Sequence, residues 1–362
     1  MVQNFKVLHI IDHMGLGGAQ RIVEGLINHS NKKIFFFYSL RRGSSSQNSQ
    51  LYRDSNCKYD VFSLFELKNI IRDKDITILH CHLKKAFLIG YLIKNFYYPN
   101  IHLVFHEHGK IEGYKYISFL NFIKNKVSVF IAVSVATQKR LEKYTKIPKS
   151  KIKIIYNYVD LDYFNPQQLS RFNRNEERTR FGVDTADFVI GFAARIVEGK
   201  GWRELILAIK ELQNKKIKLL IAGTGPDVEK LQYMVKELKL QDHVKYIGYI
   251  DDIRRLYNCI DCFIMPSHWE GLPMAGLEAQ ACGIPVLASN VEGLNEIIQD
   301  METGILFEKG NFRKIAEKID LFRENDNLRM NLRHNGLTSV QKHSLKKYIE
   351  MLEILYREID NE

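Results

Sequence analysis

The sequence predicts an α/β protein built from two doubly wound, parallel-sheet domains. Short apolar runs alternate with stretches whose apolar residues recur at helical spacing. The 362 residues are enough for two domains of ordinary size. A polar stretch, QQLSRFNRNEERTR, follows Pro166 and indicates a linker. We therefore expect one domain at residues 1–165 and a second at 166–345, followed by a helix from about Lys346.

The first half contains six predicted strands, each followed by a loop or a helix. They are FKVLHIID, KIFFFYSL, CKYDVFSL, ITILHCHL, IHLVFHEHG and VSVFIAVS. A glycine-rich segment, GLGG at 15–18, separates the first strand from its helix. Glycine lets a backbone approach a phosphate or a sugar closely, although the same residues also suit a simple tight turn. The third glycine and the acidic residue of the dinucleotide-binding fingerprint are missing.

The second half repeats this alternation. Its predicted strands are DFVIGFAAR, KIKLLIAGTGP, VKYIGYI, CFIMPS and PVLAS. The stretch FIMPSHWEGLPMAGLEAQACGIPVLAS predicts strand, loop, helix, turn and strand, with Pro273 in the first helical turn and Gly283 as C-cap. Glu270 then follows a strand's carboxyl end and Glu278 lies in the next helix. Because open α/β sheets bind ligands at that edge, the two carboxylates suggest a polar ligand.

Two cations follow the first strand of the second half. Arg195 and Lys200, in AARIVEGKG, have the charge to hold a diphosphate, and an arginine binds phosphate through two parallel hydrogen bonds. A solvated charged loop is the alternative. The sequence contains neither a P-loop nor the G-x-S-x-G elbow of α/β-hydrolases.

Two H-x-H pairs stand at predicted strand ends. They are His80 with His82, and His106 with His108. Imidazoles bind zinc, but we expect the two histidines of each pair to lie on opposite sides of their strand. One would then face a ligand and the other would be packed or exposed, and no metal site is predicted. Cys259 and Cys262 have no partner pair, so we interpret them as packed cysteines.

The charge is uneven along the chain. Residues 1–165 hold 25 Lys and Arg against 12 Asp and Glu, whereas the remainder holds 28 against 30. A basic half suggests an anionic partner: nucleic acid, a membrane surface or a phosphorylated substrate. The segment FLNFIKNKVSVF, with Lys115, Lys124 and Lys126, suits a membrane surface or a helix packed on the sheet with its lysines in water.

Location is predicted from composition. The five cysteines are an odd number and most lie in apolar runs, which favours a reducing compartment. No apolar run is long enough to span a membrane, and the amino terminus lacks a signal-peptide pattern. We therefore expect a cytoplasmic protein.

Taken in order, these motifs resemble one family. EGLPMAGLE is similar to the E-x7-E element of the retaining glycosyltransferases of family 4, also called glycosyl transferases group 1. AARIVEGKGW, LLIAGTGP, YIGYIDDIRRLYNCID, EIIQDMETGILF, NYVDLDYFNP and GLGGAQR extend the likeness over nearly the whole chain. The resemblance implies a GT-B fold, in which two Rossmann-like domains face a cleft and the carboxyl-terminal helix, residues 346–362, packs back on the first domain.

The resemblance also implies a role for each site residue. Arg195 and Lys200 would neutralise a leaving diphosphate, Glu278 would accept hydrogen bonds from the ribose, and Glu270 would contact the donor sugar. His108 would contact the reacting centre. The remaining donor-binding residues would be Gly17, Gly18, Gly223, Gly225, Tyr249, Ile250, Gly271, Leu272 and Met274.

Two departures from the family pattern stand out. Glu292-Gly293 replaces a frequent Gly-Gly pair and puts a carboxylate near the expected donor pocket. Asn157-Tyr158 replaces a frequent Asn-Gly pair, so the crossing between the domains must turn without glycine there.

The implied activity is that of a hexosyltransferase-type enzyme of class EC 2.4. It would move a sugar from a UDP- or GDP-linked donor to a glycan acceptor, expected to be lipid-linked, in cell-surface polysaccharide or glycolipid synthesis. No cofactor or metal ion is required if the cations supply the charge. The basic half suggests peripheral binding at the inner membrane face, and no nucleic-acid motif accompanies it.

Two other functions fit parts of the pattern. A non-catalytic nucleotide-sugar-binding protein would bind nucleotide without turnover on any acceptor. A nucleotide-sugar epimerase of the same fold would convert the free donor with no acceptor present.

Overall fold

The computed structural model describes residues 5–15, 17–41, 61–109, 111–212 and 216–361. It divides into two compact units. Unit 1 comprises Met1–Tyr158 and Leu345–Glu362, and unit 2 comprises Val159–Ser344. Each unit contains a six-stranded sheet whose neighbouring strands are all parallel. The predicted fold class, a pair of doubly wound α/β domains, is confirmed.

Unit 1 has the strand order β2-β1-β3-β4-β5-β6. Strands β1, β3 and β5 are buried at every position, as parallel sheets between helices require, although β1 and β3 also carry buried histidines. The order reverses between β1 and β3, which lie side by side. The strands are β1 (Val7–Ile11), β2 (Phe35–Ser39), β3 (Ile78–His82), β4 (His102–Glu107), β5 (Val129–Ala132) and β6 (Ile152–Ile154).

Unit 2 has the strand order β9-β8-β7-β10-β11-β12. Counted within the unit this is 3-2-1-4-5-6, the order of dinucleotide-binding folds, and it reverses between β7 and β10. The strands are β7 (Phe188–Ala193), β8 (Ile217–Ala222), β9 (Val244–Gly248), β10 (Cys262–Met265), β11 (Val286–Ser289) and β12 (Ile305–Phe307).

Helices connect most of the consecutive strands in each unit. None in the described ranges is both long and apolar enough to cross a membrane. In unit 1 they are α1 (Gly18–His29), α2 (Val61–Lys74), α3 (Lys84–Phe96), α4 (Tyr114–Ile123), α5 (Val135–Tyr144) and α14 (Leu345–Asp360). In unit 2 they are α6 (Pro166–Leu169), α7 (Arg174–Arg180), α8 (Trp202–Glu211), α9 (Val228–Glu237), α10 (Arg254–Cys259), α11 (Met274–Ala281), α12 (Phe312–Glu324) and α13 (Asp326–Ser339).

One predicted strand was wrong. In CKYDVFSL, residues 57–60 lie outside the described residues, and Val61 onwards belongs to α2. Leu64, Leu67 and Ile71 recur at helical spacing and pack in the unit 1 core. The apolar residues of the short run correctly indicated burial. Their continued recurrence at helical spacing beyond the run is what makes the segment a helix instead of a strand.

The described cysteines lie in the interior. Cys81, Cys259, Cys262 and Cys282 are all buried and unpaired, and Cys57 lies outside the described residues. Burial raises the pKa of the Cys259 thiol to about 12. Cys259 and Cys262 are therefore packing residues, as predicted.

Candidate functional site

The reversal of strand order in unit 2 brings two loops together. One loop, residues 194–201, follows β7 and contains Arg195 and Lys200. The other, residues 266–273, follows β10 and contains Glu270. Ligands of open α/β sheets bind at the carboxyl ends of strands where the order reverses. Three of the predicted site residues thus share one edge of one sheet.

Gly201 allows the two loops to approach closely. Its φ of 75° lies in the left-handed region, and a Cβ at this position would stand 2.0 Å from the Pro266 carbonyl oxygen. The amide of His268 also donates to the Gly199 carbonyl, over 2.8 Å. The backbones of the two loops are therefore in direct contact, and this contact fixes the positions of their side chains relative to each other.

Glu270 binds Lys200 directly. Its Oε1 accepts from Lys200 Nζ at 2.6 Å and from Ser267 Oγ at 2.7 Å. The Glu270 side chain is 12% exposed and that of Lys200 28%. A charge-assisted hydrogen bond at this distance is among the stronger polar contacts in proteins. Sequence reasoning missed Ser267, because a serine in a loop is too common to be a signal.

Arg195 differs from Lys200 in its surroundings. Its side chain is exposed, and within the described ranges it makes no recorded hydrogen bond or ion pair. The five N–H donors of its guanidinium are therefore available to an anion. The loop holds one cation paired with a carboxylate and one that faces solvent.

Glu278 is buried in α11, with 1% exposure. Its Oε2 accepts from the phenol of Tyr257 at 3.2 Å, and Tyr257 lies fully buried in α10. Sequence reasoning did not identify Tyr257 as its partner.

The remaining predicted donor-binding residues of unit 2 also follow strand ends. Gly223 comes directly after β8, where its amide donates to the Gly248 carbonyl over 2.7 Å, and Gly225 lies two residues further along the same loop. Tyr249, 48% exposed, and Ile250 follow β9. Gly271 and Leu272 are buried just before α11, and Met274 is its first residue.

The surroundings of the two departures from the family pattern differ. Gly293 has a φ of 85°, and a Cβ there would stand 2.3 Å from the Glu270 carbonyl oxygen, so the glycine is required beside the site. Glu292 next to it is exposed. Tyr158 turns its phenol toward α1 and donates to the Ile22 carbonyl over 3.0 Å, against Gly25.

Unit 1 holds Gly17, Gly18 and His108. Gly17 precedes α1, Gly18 is its first residue, and the Gly17 carbonyl accepts from the Arg21 amide. His108 follows β4 directly. Burial lowers the pKa of His108 to about 3, so its ring is neutral at physiological pH.

The expected orientation of the H-x-H pairs was wrong. Residues two apart on a strand share a face, and the rings of each pair stack, with centroids 4.4 Å apart for His80 and His82 and 4.1 Å for His106 and His108. His9 of β1 joins them, because the register places it beside His80. That neighbour depends on the pairing of β1 with β3, which the sequence pattern did not predict.

The five histidines, here called the histidine cluster, are His9, His80, His82, His106 and His108. Two triads, His9–His80–His82 and His82–His106–His108, each offer nitrogens within 4.8 Å of one another. Burial lowers the pKa of every ring, to about 3 for His9. Tyr356 of α14 also touches the cluster, and sequence reasoning did not identify it.

Comparison with known protein families covers both units. Residues 173–338 match the model described as "Glycosyl transferases group 1". Residues 17–163 match the model described as "Glycosyltransferase Family 4".

Two bacterial glycosyltransferases illustrate the similarity in sequence. The chain is 31% identical over 258 residues to the capsular polysaccharide biosynthesis glycosyltransferase CapM of Staphylococcus aureus, covering 68% of this chain and 66% of CapM. It is 26% identical to an Escherichia coli UDP-Gal:alpha-D-GlcNAc-diphosphoundecaprenol alpha-1,3-galactosyltransferase, covering 71% of this chain and 69% of that enzyme. The matches thus span about two thirds of each relative.

Solved structures share the fold over nearly the full length. HepE of Anabaena in complex with UDP superposes with a TM-score of 0.85 at 20% identity, covering 98% of this chain and 100% of HepE. A glycosyltransferase from Rickettsia africae gives 0.83 at 21% identity, covering 98% and 99%. At these identities the likeness shows the fold alone.

Proposed function

This chain belongs to the glycosyltransferases of group 1 and family 4, and we propose that it transfers a sugar from a nucleotide-sugar donor to a glycan acceptor. The observation that supports this most is the edge of the unit 2 sheet at the reversal of strand order, where Lys200 binds Glu270 and the exposed Arg195 lies in the same loop as Lys200. A UDP- or GDP-linked sugar offers the matching chemistry: a diphosphate for the cations and hydroxyls for the carboxylate.

The cations favour departure of the nucleoside diphosphate. As the bond between the sugar and the diphosphate breaks, negative charge grows on the phosphate oxygen, and fixed donors stabilise that charge more in the transition state than in the ground state. Arg195 contributes unpaired donors and Lys200 a second positive charge beside Glu270. These residues supply the charge without a metal ion, so transfer should persist in the presence of a chelator.

We propose that transfer retains the configuration at the anomeric carbon. The acceptor oxygen bonds to that carbon on the face from which the diphosphate departs, and the acceptor proton leaves with the diphosphate. Glu270 is engaged by Lys200 and Ser267, which suits an orienting contact with sugar hydroxyls rather than nucleophilic attack. We assign no protein nucleophile.

The other predicted residues receive supporting roles in this proposal. Glu278 would bind the ribose once nucleotide binding has exposed its carboxylate. Tyr249 and Ile250 would flank the base. In unit 1, Gly17 and Gly18 would lie near the donor and His108 would contact its sugar. These assignments rest on the family resemblance and on the placement of the residues at strand ends.

We propose a lipid-linked acceptor in cell-surface polysaccharide or glycolipid synthesis, reached at the inner face of the membrane. The galactosyltransferase relative acts on a diphosphoundecaprenol-linked sugar, and CapM acts in capsular polysaccharide synthesis. Helix α4 of the basic unit packs Leu120 and Ile123 inward while Tyr114, 85% exposed, and Phe122, 70% exposed, face solvent. Exposed aromatics beside Lys115 suit a membrane interface.

The experiment is a donor-turnover assay with UDP- and GDP-linked sugars, with and without lipid-linked sugar acceptors. The proposal predicts slow release of nucleoside diphosphate from one donor, faster release with a productive acceptor, and a glycosylated product detectable by mass spectrometry. Tight nucleotide binding with no turnover on any acceptor would instead support a non-catalytic binding protein. Isomerisation of the free donor would support an epimerase.

A further inference from the structure

Five buried side chains of unit 1 and the half-buried His108 form one continuous hydrogen-bonded chain. The links are His108 Nε2 to His82 Nδ1 at 2.9 Å and His82 Nε2 to His9 Nδ1 at 3.0 Å. His9 Nε2 then lies 3.5 Å from Tyr356 Oη, which lies 2.5 Å from His80 Nδ1, and His80 Nε2 lies 3.1 Å from His106 Nδ1. At the two ends, His108 Nδ1 and His106 Nε2 are buried without a partner among the described residues.

In a hydrogen-bonded chain of neutral imidazoles, every N–H donates toward the same end of the chain. Each neutral ring has one N–H donor and one bare nitrogen acceptor, so the proton position in one ring fixes that of the next. Burial lowers the pKa of all five rings, and each is neutral near pH 7. The whole chain therefore has two ordered arrangements, which differ in whether His108 presents a bare Nδ1 or an Nδ1–H.

The contacts of Tyr356 favour one arrangement. Hydrogen bonds donated by a hydroxyl are shorter than those donated by a ring N–H. The shorter contact, to His80 Nδ1, therefore favours the Tyr356 hydroxyl as its donor, and His9 Nε2–H would then donate to the phenol oxygen over the longer contact.

The tautomer of His108 follows from that choice. His9 Nδ1 then accepts from His82 Nε2–H, and His82 Nδ1 accepts from His108 Nε2–H. This leaves Nδ1 of His108 as a bare acceptor at the end of the chain.

We infer that Tyr356, in the carboxyl-terminal helix, is a positioning residue that fixes His108 as the tautomer with a bare Nδ1. This inference rests on the proposed contact between His108 and the donor sugar. A bare Nδ1 accepts a hydrogen bond from a sugar hydroxyl, whereas an Nδ1–H does not. Tyr356 acts through His9 and His82 and needs no contact with substrate.

A metal ion explains the cluster less well. Two nitrogens that share a tetrahedral zinc ion at about 2.0 Å stand about 3.3 Å apart, with both lone pairs aimed at the ion. The described nitrogens instead face each other in pairs at 2.9 and 3.0 Å, which is hydrogen-bonding geometry. Metal binding is nevertheless an outcome that the experiment below would detect.

The experiment measures the ring nitrogens by NMR of the full chain with ¹⁵N-labelled histidine. A His108→Gln variant assigns the His108 signals. In the wild type we expect an unprotonated Nδ1 and a protonated Nε2. Tyr356→Phe removes the hydroxyl that joins His9 to His80, so the His108 signals should move toward a mixture of tautomers.

Tyr348→Phe is the matched control. Tyr348 lies in the same helix, is buried, and has a hydroxyl without a partner among the described residues. Its removal should leave the His108 signals unchanged. Unchanged signals in Tyr356→Phe, or a protonated Nδ1 in the wild type, would overturn the inference. So would wild-type signals that change when a chelator removes bound zinc.

Kinetics separates this inference from the proposed function. Tyr356→Phe should lower kcat roughly 10–100-fold, by analogy with groups that orient metal-binding histidines, while the KM for donor stays near the wild-type value. If Tyr356→Phe shifts the His108 tautomer but leaves transfer unchanged, the proposed contact between His108 and the donor is contradicted. The role of Tyr356 in the hydrogen-bonded chain would still be supported. If Tyr356→Phe leaves both the His108 tautomer and the transfer rate unchanged, the inference is overturned and the proposed function is not affected.

Discussion

At the scale of single residues, the site combines one paired and one unpaired cation. Lys200 is held by Glu270, which also accepts from Ser267, and the exposed Arg195 has no recorded partner in the described ranges. The pairing keeps Lys200 and Glu270 in fixed positions before a ligand arrives. Fixed charges need little rearrangement during the reaction, which is the basis of electrostatic catalysis.

Arg195→Ala tests the role of the unpaired cation. Because the guanidinium would stabilise charge on the departing diphosphate, its loss should lower the transfer rate on the order of 10²–10³-fold, as does loss of one oxyanion-hole donor. Steady-state release of nucleoside diphosphate measures this. Arg313→Ala, which removes an exposed arginine from α12, is the control and should transfer at the wild-type rate.

The two carboxylates should have unequal effects when changed. Glu270→Gln weakens the contacts to Lys200 and Ser267 and should mainly lower kcat. Glu278→Gln should mainly weaken nucleotide binding, and should also lower thermal stability because Glu278 is 1% exposed and bonded to Tyr257. Calorimetric nucleotide titrations and donor kinetics on both variants separate these effects. Changes confined to acceptor affinity would contradict both assignments.

At the scale of secondary-structure elements, strands β1, β3 and β4 place four neutral histidines in the interior of unit 1, and a fifth, the half-buried His108, directly follows β4. The folded-state pKa of His9 and of His108 is about 3, below the ordinary value of 6.5. The unfolded chain therefore binds protons that the folded chain does not. The contribution of these histidines to the free energy of unfolding is fully present above pH 6.5 and is lost as the pH falls toward their folded-state pKa values.

Urea unfolding at several pH values measures this dependence. Each buried histidine should remove about 1.4 kcal/mol of unfolding free energy per pH unit below 6.5. His9→Phe, with one buried histidine fewer, should show a shallower dependence. His334→Gln changes an exposed histidine and should match the wild type. If the free energy of unfolding changes with pH by the same slope in the wild type and in His9→Phe, the buried rings do not set the pH dependence.

Much of the fold was predictable at this scale, because apolar runs and glycine turns are local signals. The stretch around Glu270 forms strand, loop and helix where predicted, from Cys262–Met265 to Met274–Ala281. Strands β6 and β12 were not predicted, since each has three residues at a sheet edge. Helix α2 was missed because a short apolar run does not distinguish strand from helix.

The contacts of the site were less predictable, since they join distant parts of the chain. Lys200 and Glu270 are 70 residues apart, and nothing local pairs them. Tyr356 lies 276 residues from His80. The strand register that brings His9 beside His80 depends on the sheet order, which the sequence pattern left open.

At the scale of the whole molecule, charge and exposed aromatics should direct unit 1 to an anionic membrane. The double change Tyr114→Ser with Phe122→Ser removes two aromatics exposed on α4 and should weaken binding to anionic vesicles at low salt. Vesicle cosedimentation measures the bound fraction. Tyr233→Ser is the control, because Tyr233 is 66% exposed on α9 of unit 2. Equal binding to neutral and anionic vesicles would contradict the role of charge.

The central claim is that Arg195 and Lys200 hold the diphosphate of a sugar nucleotide. It is tested most directly by calorimetric titration of the wild type and the Arg195→Ala/Lys200→Ala variant with UDP, GDP and the matching monophosphates. We predict that the wild type binds one diphosphate about tenfold or more tightly than its monophosphate, since one charge-assisted hydrogen bond contributes that much. The double variant should lose this difference. A wild type that does not distinguish the two, or a double variant that still does, would contradict the claim.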